Sequence, residues 1–175
     1  MLILKDVSTY YHSGDTVVAG LNKLNIELER GEFVAITGES GSGKTTLLNV
    51  ISALLPYHDG EMYVDGKQTS YFDDADWEEY RRRKMINGTD EKTARLRAVS
   101  LLERVGLSGF ETHRAGRLSS GQKQRLSIAR ALAKDTEIIV ADEPTGNLDT
   151  ENGRQIVELL RSLSRDRLVI MVTHN

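Results

Sequence analysis

A glycine-rich segment at residues 38–45 has the composition of a phosphate-binding loop. It reads GESGSGKT and matches the pattern G-x-x-x-x-G-K-[ST] between a predicted strand and a predicted helix. The glycines let the backbone curl so that successive N–H groups point at phosphate oxygens, and the helix N-terminus adds a partial positive charge. We therefore expect Lys44 to reach the β- and γ-phosphates of a nucleotide and the Thr45 hydroxyl to ligate Mg²⁺. A flexible Gly/Ser loop is the alternative, which the strand-to-helix context disfavours.

Two adjacent carboxylates, Asp142 and Glu143, follow the apolar segment 138–141. Because parallel strands gather ligands at their carboxyl ends, we expect Asp142 to face the Mg²⁺ held by Thr45. Glu143 is then placed to polarise an attacking water as a general base. A structural acid at the end of a surface strand is the alternative.

A second glycine motif, LSSGQ at residues 118–122, precedes the acidic pair by one predicted helix. Ser119 and Gln122 have the spacing of a capping box, in which each side chain bonds the backbone N–H of the other residue at a helix start. A helix start that carries serine and glycine also exposes donors that form an anion site. Taken alone, the segment favours the capping interpretation.

The elements that must position these residues alternate between strand and helix patterns. Apolar alternation and apolar runs predict strands at 2–7, 24–28, 33–36, 137–141 and 168–172, the third of them buried on both faces. A hairpin with an Asp65-Gly66 turn is predicted at 61–67. Helices are predicted at 44–55, 76–84, 119–133 and 150–163. After a break at Asn87-Gly88, another helix is predicted from a cap at Thr89 or Asp90 to a stop at Gly106, with its apolar residues between Ala94 and Val105. The alternation predicts a mainly parallel α/β core.

Composition excludes several classes of function. The 175 residues carry a formal net charge of −3, which gives no electrostatic case for nucleic acid or an anionic membrane as the main partner. There is no cysteine, so a disulfide scaffold, a thiolate zinc site and a cysteine nucleophile are excluded. No apolar run approaches the ~20 residues of a membrane-spanning helix.

In chain order, the motifs resemble those of the ATP-binding-cassette (ABC) ATPase family. The acidic pair opens the sequence DEPTGNLD at 142–149, whose last residue Asp149 resembles the family's D-loop aspartate. Residues 118–122 resemble the family signature, with Ser120 where a glycine is usual. His174 resembles the family's switch histidine, which contacts the γ-phosphate and holds the attacking water in place.

Tyr11 falls where the family has an aromatic side chain that stacks on adenine. Packing in a half-buried sheet, with Tyr10 beside it, is the alternative. The resemblance implies a site for ATP and Mg²⁺. By resemblance, the ATP-binding residues are Tyr11, Gly38, Glu39, Ser40, Gly41, Ser42, Gly43, Lys44, Thr45 and Thr46, the metal ligands are Thr45 and Asp142, and the catalytic residues are Lys44, Glu143 and His174.

The resemblance also implies a fold and an assembly. The fold is a P-loop NTPase core with a mainly parallel sheet, an N-terminal antiparallel β subdomain and a shortened α-helical subdomain. Within one domain at 1–175, the β subdomain and the phosphate-loop part take 1–84, the helical subdomain takes 85–124 and the rest of the core takes 125–175. Two such ATPases associate head to tail, as a homodimer or a heterodimer. The residues that complete the partner's ATP pocket are then Leu118, Ser119, Ser120, Gly121 and Gln122.

One branch of the family resembles this chain in the wording of residues 143–149 and in the three arginines at 81–83. It comprises ATPases for lipoprotein release and for macrolide or antimicrobial-peptide export, with a cell-division relative. The resemblance implies a cytoplasmic ATP-hydrolysing subunit, peripheral on the inner face of the membrane, that powers export or release through a separate permease. Two alternatives stay open: an ATPase that signals to a membrane partner without transport, and an ATP-binding module with impaired hydrolysis.

The chain departs from the family between residues 83 and 89. The family has a strand and a glutamine-bearing loop before its helical subdomain, and no glutamine lies in that interval. We also expect the family's closing strands and helix to be missing after residue 175. Three explanations compete. The 175 residues omit disordered residues that the protein contains, or the segments were deleted from a longer parent, or a degenerate natural protein has lost them. The first is favoured, because the gap falls on the family's most mobile loop.

Overall fold

A computed structural model of the chain describes residues 1–14, 16–85, 91–133 and 136–174, with the side chains of 82–85 and 91–97 excepted. The strands are β1 Leu2–Ser13, β2 Thr16–Leu28, β3 Phe33–Thr37, β4 Asp59–Val64, β5 Lys67–Gln68, β6 Ile138–Asp142 and β7 Leu168–Thr173. The helices are α1 Lys44–Ile51, α2 Asp74–Met85, α3 Glu91–Arg104, α4 Ser120–Ala133 and α5 Thr150–Leu163. The predicted break at Asn87-Gly88 and the cap at Thr89 or Asp90 lie outside the described residues. Within the described ranges, no helix combines the length and the apolar character that a bilayer crossing requires.

The N-terminal part of the chain forms an antiparallel sheet with the strand order β2-β1-β4-β5. The short hairpin between β4 and β5 turns at Asp65 and Gly66, whose φ angles of 49° and 81° are both positive. Two successive positive φ angles are the requirement of the hairpin turn that matches strand twist, and Asp-Gly supplies them at low cost. The predicted hairpin and its turn are therefore confirmed, as is the antiparallel β subdomain.

A second sheet is parallel and has the order β3-β7-β6. Its registers place Thr37 beside Thr173 and Asp142 beside Val172, so all three strands end at the same edge. The phosphate-loop segment follows β3 at this edge, and the acidic pair closes β6 there. The sheet confirms the predicted parallel α/β core and brings the two candidate motifs to one place.

The central strand β7 joins two hydrophobic cores. All six of its residues are buried. Leu168, Ile170 and Val172 belong to a core that includes α1 and the antiparallel sheet. Val169 and Met171 belong to a second core with α3, α4 and α5. Successive side chains of a strand point to opposite faces, so one short strand anchors both cores.

Several predicted features are wrong in detail. The first two strands were expected at 2–7 and 24–28 but extend over Leu2–Ser13 and Thr16–Leu28, because β1 and β2 pair along almost their whole length. Helix α1 was expected to reach residue 55 but ends at Ile51, because Ala53 adopts a left-handed φ of 54° and the next two N–H groups turn back to the carbonyl of Asn49. Strand β3 was expected to be buried on both faces, but Ala35 and Thr37 are exposed. In the described sheet, β3 is an edge strand with β7 as its partner, which explains its exposure.

We expect Leu160→Ala to lower the free energy of unfolding by about 2–5 kcal/mol, because Leu160 in α5 is fully buried in the second core. The matched control is Leu54→Ala, which removes the same atoms from a residue that is 68% exposed and should change stability by less than about 0.5 kcal/mol. Urea unfolding followed by circular dichroism measures both. Equal losses would contradict the assignment of Leu160 to the core.

Candidate active site

The glycine-rich loop links the end of β3 to the start of α1 and fits only because two of its residues lack side chains. Gly41 and Gly43 have φ angles of 81° and 89°, in the left-handed region. A Cβ on Gly43 would lie 2.2 Å from the carbonyl oxygen of Gly20 in β2. Position 43 therefore requires glycine for two reasons, its left-handed backbone conformation and the close approach of β2.

Lys44, the first residue of α1, crosses back over this loop. Its side chain is 8% exposed, and its Nζ donates hydrogen bonds to the carbonyl oxygens of Gly38 at 2.7 Å and Glu39 at 2.6 Å. A longer contact of 3.3 Å reaches Oγ of Ser42. The buried ammonium is thus satisfied by neutral acceptors of the loop. A phosphate oxygen carries a full charge and would be a stronger partner for the same ammonium.

The acidic pair lies opposite this loop at the end of β6. Glu143 has a left-handed φ of 46°, and its N–H donates to the carbonyl oxygen of Val172 at 3.0 Å. This bond ties the turn after β6 to β7. Within the described residues, Oε1 of Glu143 is buried and accepts no hydrogen bond. A buried carboxylate oxygen is stabilised by a nearby donor or positive charge, and the imidazole of His174 lies within reach of this one.

His174, which follows β7, bridges the two motifs. Its Nε2 lies 3.3 Å from Oε1 of Glu143, and its Nδ1 lies 3.3 Å from the carbonyl oxygen of Gly38. The first contact is short enough for an ion pair if the imidazole is protonated. The side chain is about half exposed, so the imidazole borders both the loop and solvent.

A cleft of about 410 Å³ opens between these elements. It brings together ten of the residues that sequence reasoning singled out, from the loop, the acidic pair, β1 and the end of β7. They are Tyr11, Ser40, Gly41, Gly43, Lys44, Thr45, Thr46, Asp142, Glu143 and His174. Gly38, Glu39 and Ser42 belong to the same loop without lining the cleft.

Four lining residues were missed: Val18, Ala19 and Gly20 of β2 and Val172 of β7. Gly20 had a signal in the sequence, because a glycine within a strand often marks a bulge or a close approach of another backbone. The other three are ordinary apolar strand residues, and nothing in their types distinguishes them. Only the pairing of β1 with β2 and the position of β7 place them in the cleft.

Thr45 and Asp142 both line the cleft, one from α1 and one from the end of β6. A hydroxyl and a carboxylate are the donors that a hard cation such as Mg²⁺ prefers. Among the described residues, no group of three or more His, Cys, Asp or Glu side chains is suited to a metal ion. Two protein donors would leave the remaining coordination positions of such a cation to water and to oxygens of a bound ligand.

The second glycine motif lies outside the cleft, at the start of α4. Its predicted capping box is present, because the Ser119 N–H donates to Oε1 of Gln122 at 2.9 Å and the Gln122 N–H donates to Oγ of Ser119 at 3.2 Å. A Cβ on Gly121 would lie 3.2 Å from Oδ1 of Asn152 in α5. The motif is therefore packed against the first turn of α5.

Asp149 also lies outside the cleft and caps α5. Its carboxylate accepts the Asn152 backbone N–H at 2.9 Å and the Asn152 side-chain amide at 2.7 Å. These two donors hold the pKa of the Asp149 carboxyl below its ordinary value. Asn152 thus contacts both Asp149 and the glycine of the second motif.

Comparison with known proteins finds relatives that align with nearly the whole chain. A family model described as "ABC transporter" matches residues 21–146. The macrolide export ATP-binding/permease protein MacB of Mannheimia succiniciproducens is 36% identical over 98% of the chain, which spans 31% of that relative. An uncharacterised ABC transporter ATP-binding protein of Methanocaldococcus jannaschii is 37% identical over 99% of the chain and 89% of its own length.

The fold has equally clear counterparts. A dimeric, post-hydrolysis structure of the ATP-binding cassette MJ0796, bound to ADP and phosphate, has a TM-score of 0.84 and 33% identity, covering 100% of this chain and 88% of that one. A second dimeric structure of MJ0796, described as a bacterial ABC transporter cassette, has a TM-score of 0.85 and 34% identity over the same shares.

The chain spans about a third of the length of several curated relatives that it matches, MacB among them. Several of these alignments run over 200 positions, more than the 175 residues of the chain. The relatives therefore carry positions that have no counterpart here. This agrees with the shortened segment expected from the sequence, while its location near residues 83–89 stays a prediction.

We expect Gly43→Ala to lower the free energy of unfolding by about 2–5 kcal/mol, since it adds a left-handed strain and a clash with backbone. The matched control is Gly41→Ala, whose φ is similar but whose Cβ would meet nothing within 4 Å. That variant should cost about 1–2 kcal/mol. Thermal and urea unfolding without ligand measure both, and equal losses would rule out the contact with Gly20 as a constraint.

Proposed function

Because this chain belongs to the ABC transporter family, as one of its ATP-binding cassettes, we propose that it hydrolyses ATP in the cleft to power export or release of a substrate through a membrane permease. One observation carries the proposal. A single cleft joins the phosphate loop, the acidic pair, His174 and Tyr11, which come from distant parts of the chain.

In this proposal the loop binds the phosphates of ATP. The backbone N–H groups of the loop and the N-terminus of α1 face the phosphates, and Lys44 exchanges its carbonyl partners for β- and γ-phosphate oxygens. Tyr11 stacks on the adenine ring, supported by its position in the same cleft and its 42% exposure. The full set of ATP-binding residues is Tyr11, Gly38, Glu39, Ser40, Gly41, Ser42, Gly43, Lys44, Thr45 and Thr46.

We further propose that Thr45 and Asp142 hold Mg²⁺. The charged residues that line the cleft are Lys44, Asp142 and Glu143, with His174 beside them. One lysine against two carboxylates does not offset the charge of a triphosphate, so an additional cation is needed for tight binding. When bound there, Mg²⁺ would neutralise developing charge on the phosphate oxygens.

Hydrolysis in this scheme uses Glu143 as the general base. A water molecule attacks the γ-phosphorus, the bond from that phosphorus to the β-phosphate oxygen breaks, and the proton of the water passes to the Glu143 carboxylate. Glu143 lines the cleft, where such a water can donate to its carboxylate. His174, close to Glu143 and to the loop, holds the water and the γ-phosphate in line.

Two cassettes would associate head to tail, as a homodimer or a heterodimer. The signature residues Leu118, Ser119, Ser120, Gly121 and Gln122 do not line the cleft of their own chain, which is consistent with a role in the pocket of the partner. Asp149 lies close to them through Asn152. The solved structures of MJ0796 are described as dimeric, which supports association in pairs.

The membrane partner is proposed from the relatives. Several of them are named as ATP-binding/permease proteins, and this chain matches about a third of their length. We propose that the cassette lies on the cytoplasmic face of the membrane and is held there by its permease. Within it, 1–84, 85–124 and 125–175 act as the β and phosphate-loop part, the shortened helical part and the rest of the core.

We expect Lys44→Ala to abolish measurable ATP binding, because it removes the one lysine that lines the cleft among the residues that the structure describes and also the bonds that fasten the loop. The control Lys67→Ala removes an exposed lysine of β5, outside the cleft, and should bind ATP like the parent. Isothermal titration calorimetry with ATP and Mg²⁺ measures both. Unchanged affinity of the Lys44 variant would show that the loop is not the phosphate site.

We expect Glu143→Gln to bind ATP, to lose at least ~100-fold in hydrolysis rate and to accumulate an ATP-bound dimer, because an amide cannot accept the proton of the water. Phosphate release measures the rate, and size-exclusion chromatography with light scattering measures the dimer. The control Glu158→Gln changes an exposed glutamate of α5 that pairs with Arg154 and should leave both readouts unchanged. Hydrolysis by the Glu143 variant at the parent rate would remove Glu143 as base.

Slow hydrolysis by the parent chain despite tight ATP binding would favour an ATP-binding module with impaired turnover. That outcome would distinguish an ATP-binding module from a subunit that hydrolyses ATP to power transport. It is read from the same phosphate-release measurement.

A further inference from the structure

Gly20 forms a bulge in β2 at the wall of the cleft. Its neighbours Leu21 and Ala19 pair with Thr9 and Tyr10 of β1, two successive residues, so Gly20 is an extra residue in the β2 side of the ladder. Bulges of this kind re-aim side chains and are frequent beside active sites. Gly20 is not among the glycines with positive φ, so its backbone conformation does not by itself require glycine.

Space, rather than conformation, requires glycine at this position. A Cβ on Gly20 would lie 2.5 Å from Cε2 and 3.1 Å from Cδ2 of Tyr11, and 3.0 Å from Cγ2 of Thr46. One edge of the Tyr11 ring therefore occupies the place that a side chain of residue 20 would take. The nearest of these atoms belongs to a side chain, so an added methyl group would displace the ring before it displaced the backbone.

The other end of the Tyr11 side chain is tied to the phosphate-loop helix. Its hydroxyl lies 3.1 Å from Oγ1 of Thr46, a buried residue two positions after Lys44. The carbonyl oxygen of the same Gly20 closely approaches Gly43 at the helix start. The bulge, the Tyr11 ring and the first turn of α1 are thus in mutual contact.

We propose that Gly20 is a positioning residue for the nucleotide base. Its missing side chain lets the Tyr11 ring lie against β2 and bond Thr46, which sets the ring at a fixed distance from the phosphate loop. A ring held in place before binding loses less conformational freedom when a base stacks on it. The ligand class is a nucleoside triphosphate with an aromatic base, in contrast to a bare polyphosphate. The inference rests on the proposed binding of ATP in this cleft.

The test compares ATP with inorganic triphosphate, which has the same phosphate chain but no base. In calorimetric titrations with Mg²⁺, Gly20→Ala should weaken ATP binding about tenfold, the order expected when base stacking is disturbed, and leave triphosphate binding within about twofold. The matched control is Gly116→Ala, because a Cβ there would meet nothing within 4 Å and its φ is not positive. It should leave both affinities unchanged. Equal weakening for ATP and triphosphate in Gly20→Ala would overturn the proposal.

A double-mutant cycle shows whether Gly20 acts through Tyr11. In a Tyr11→Ala background, Gly20→Ala should cause no further loss of ATP affinity, whereas additive losses would overturn the proposal. If Gly20→Ala does not fold, as judged by its melting curve, Tyr11→Phe decides. This variant keeps the ring and removes the bond to Thr46, and should weaken ATP about threefold with triphosphate unchanged; unchanged ATP affinity would overturn the fixed-ring proposal.

The two proposals fail in different ways. A parent protein that binds neither ATP nor triphosphate would refute the proposed function. A parent that binds ATP tightly while Gly20→Ala does the same would refute only the positioning role.

Discussion

The structure depends most on the parallel pairing of β7 with two partners at once. Its six residues are all buried, and they alternate between the core around α1 and the core around α5. The same strand fixes the register of β3 on one side and β6 on the other. Because that register brings the ends of all three strands to one edge, the packing of the cores and the geometry of the cleft have a common cause.

The pairing of β7 also fixes the positions of Glu143 and His174 in the cleft. The turn after β6 places Glu143 in a left-handed conformation, and its N–H bond to Val172 holds that conformation against the end of β7. His174 lies two residues after Val172, directly beyond the end of β7, and contacts both Glu143 and the glycine-rich loop. The left-handed backbone of Glu143 and its buried carboxylate oxygen, 3.3 Å from the imidazole of His174, persist at one site because rigid strands hold them. Such features are more typical of a ligand-binding site than of a surface that only stabilises the fold.

Features that depend on residues close together in the sequence were predicted, whereas features that depend on contacts between distant elements were missed. Helix α5 begins and ends where the sequence predicts, because the apolar face that includes Ile156 and Leu160 is a pattern within the helix itself. The loop at 38–45 was equally local. The early end of α1 and the exposure of β3 were missed, because they depend on a turn conformation and on which strands flank the sheet edge. Gly20 was missed for the same reason, since its partners Tyr11 and Thr46 lie on separate elements.

The second glycine motif shows that a structural and a functional interpretation of the same residues are compatible. The capping box uses the N–H groups of Ser119 and Gln122. It does not use those of Ser120 and Gly121, which lie in the first turn and have no acceptor one turn earlier in the helix. A helix whose cap fixes its start while leaving such donors is suited to bind an anion brought by another molecule. Asn152 lies beside Gly121 and also donates a hydrogen bond to Asp149, so one side chain links the second glycine motif to the cap of α5.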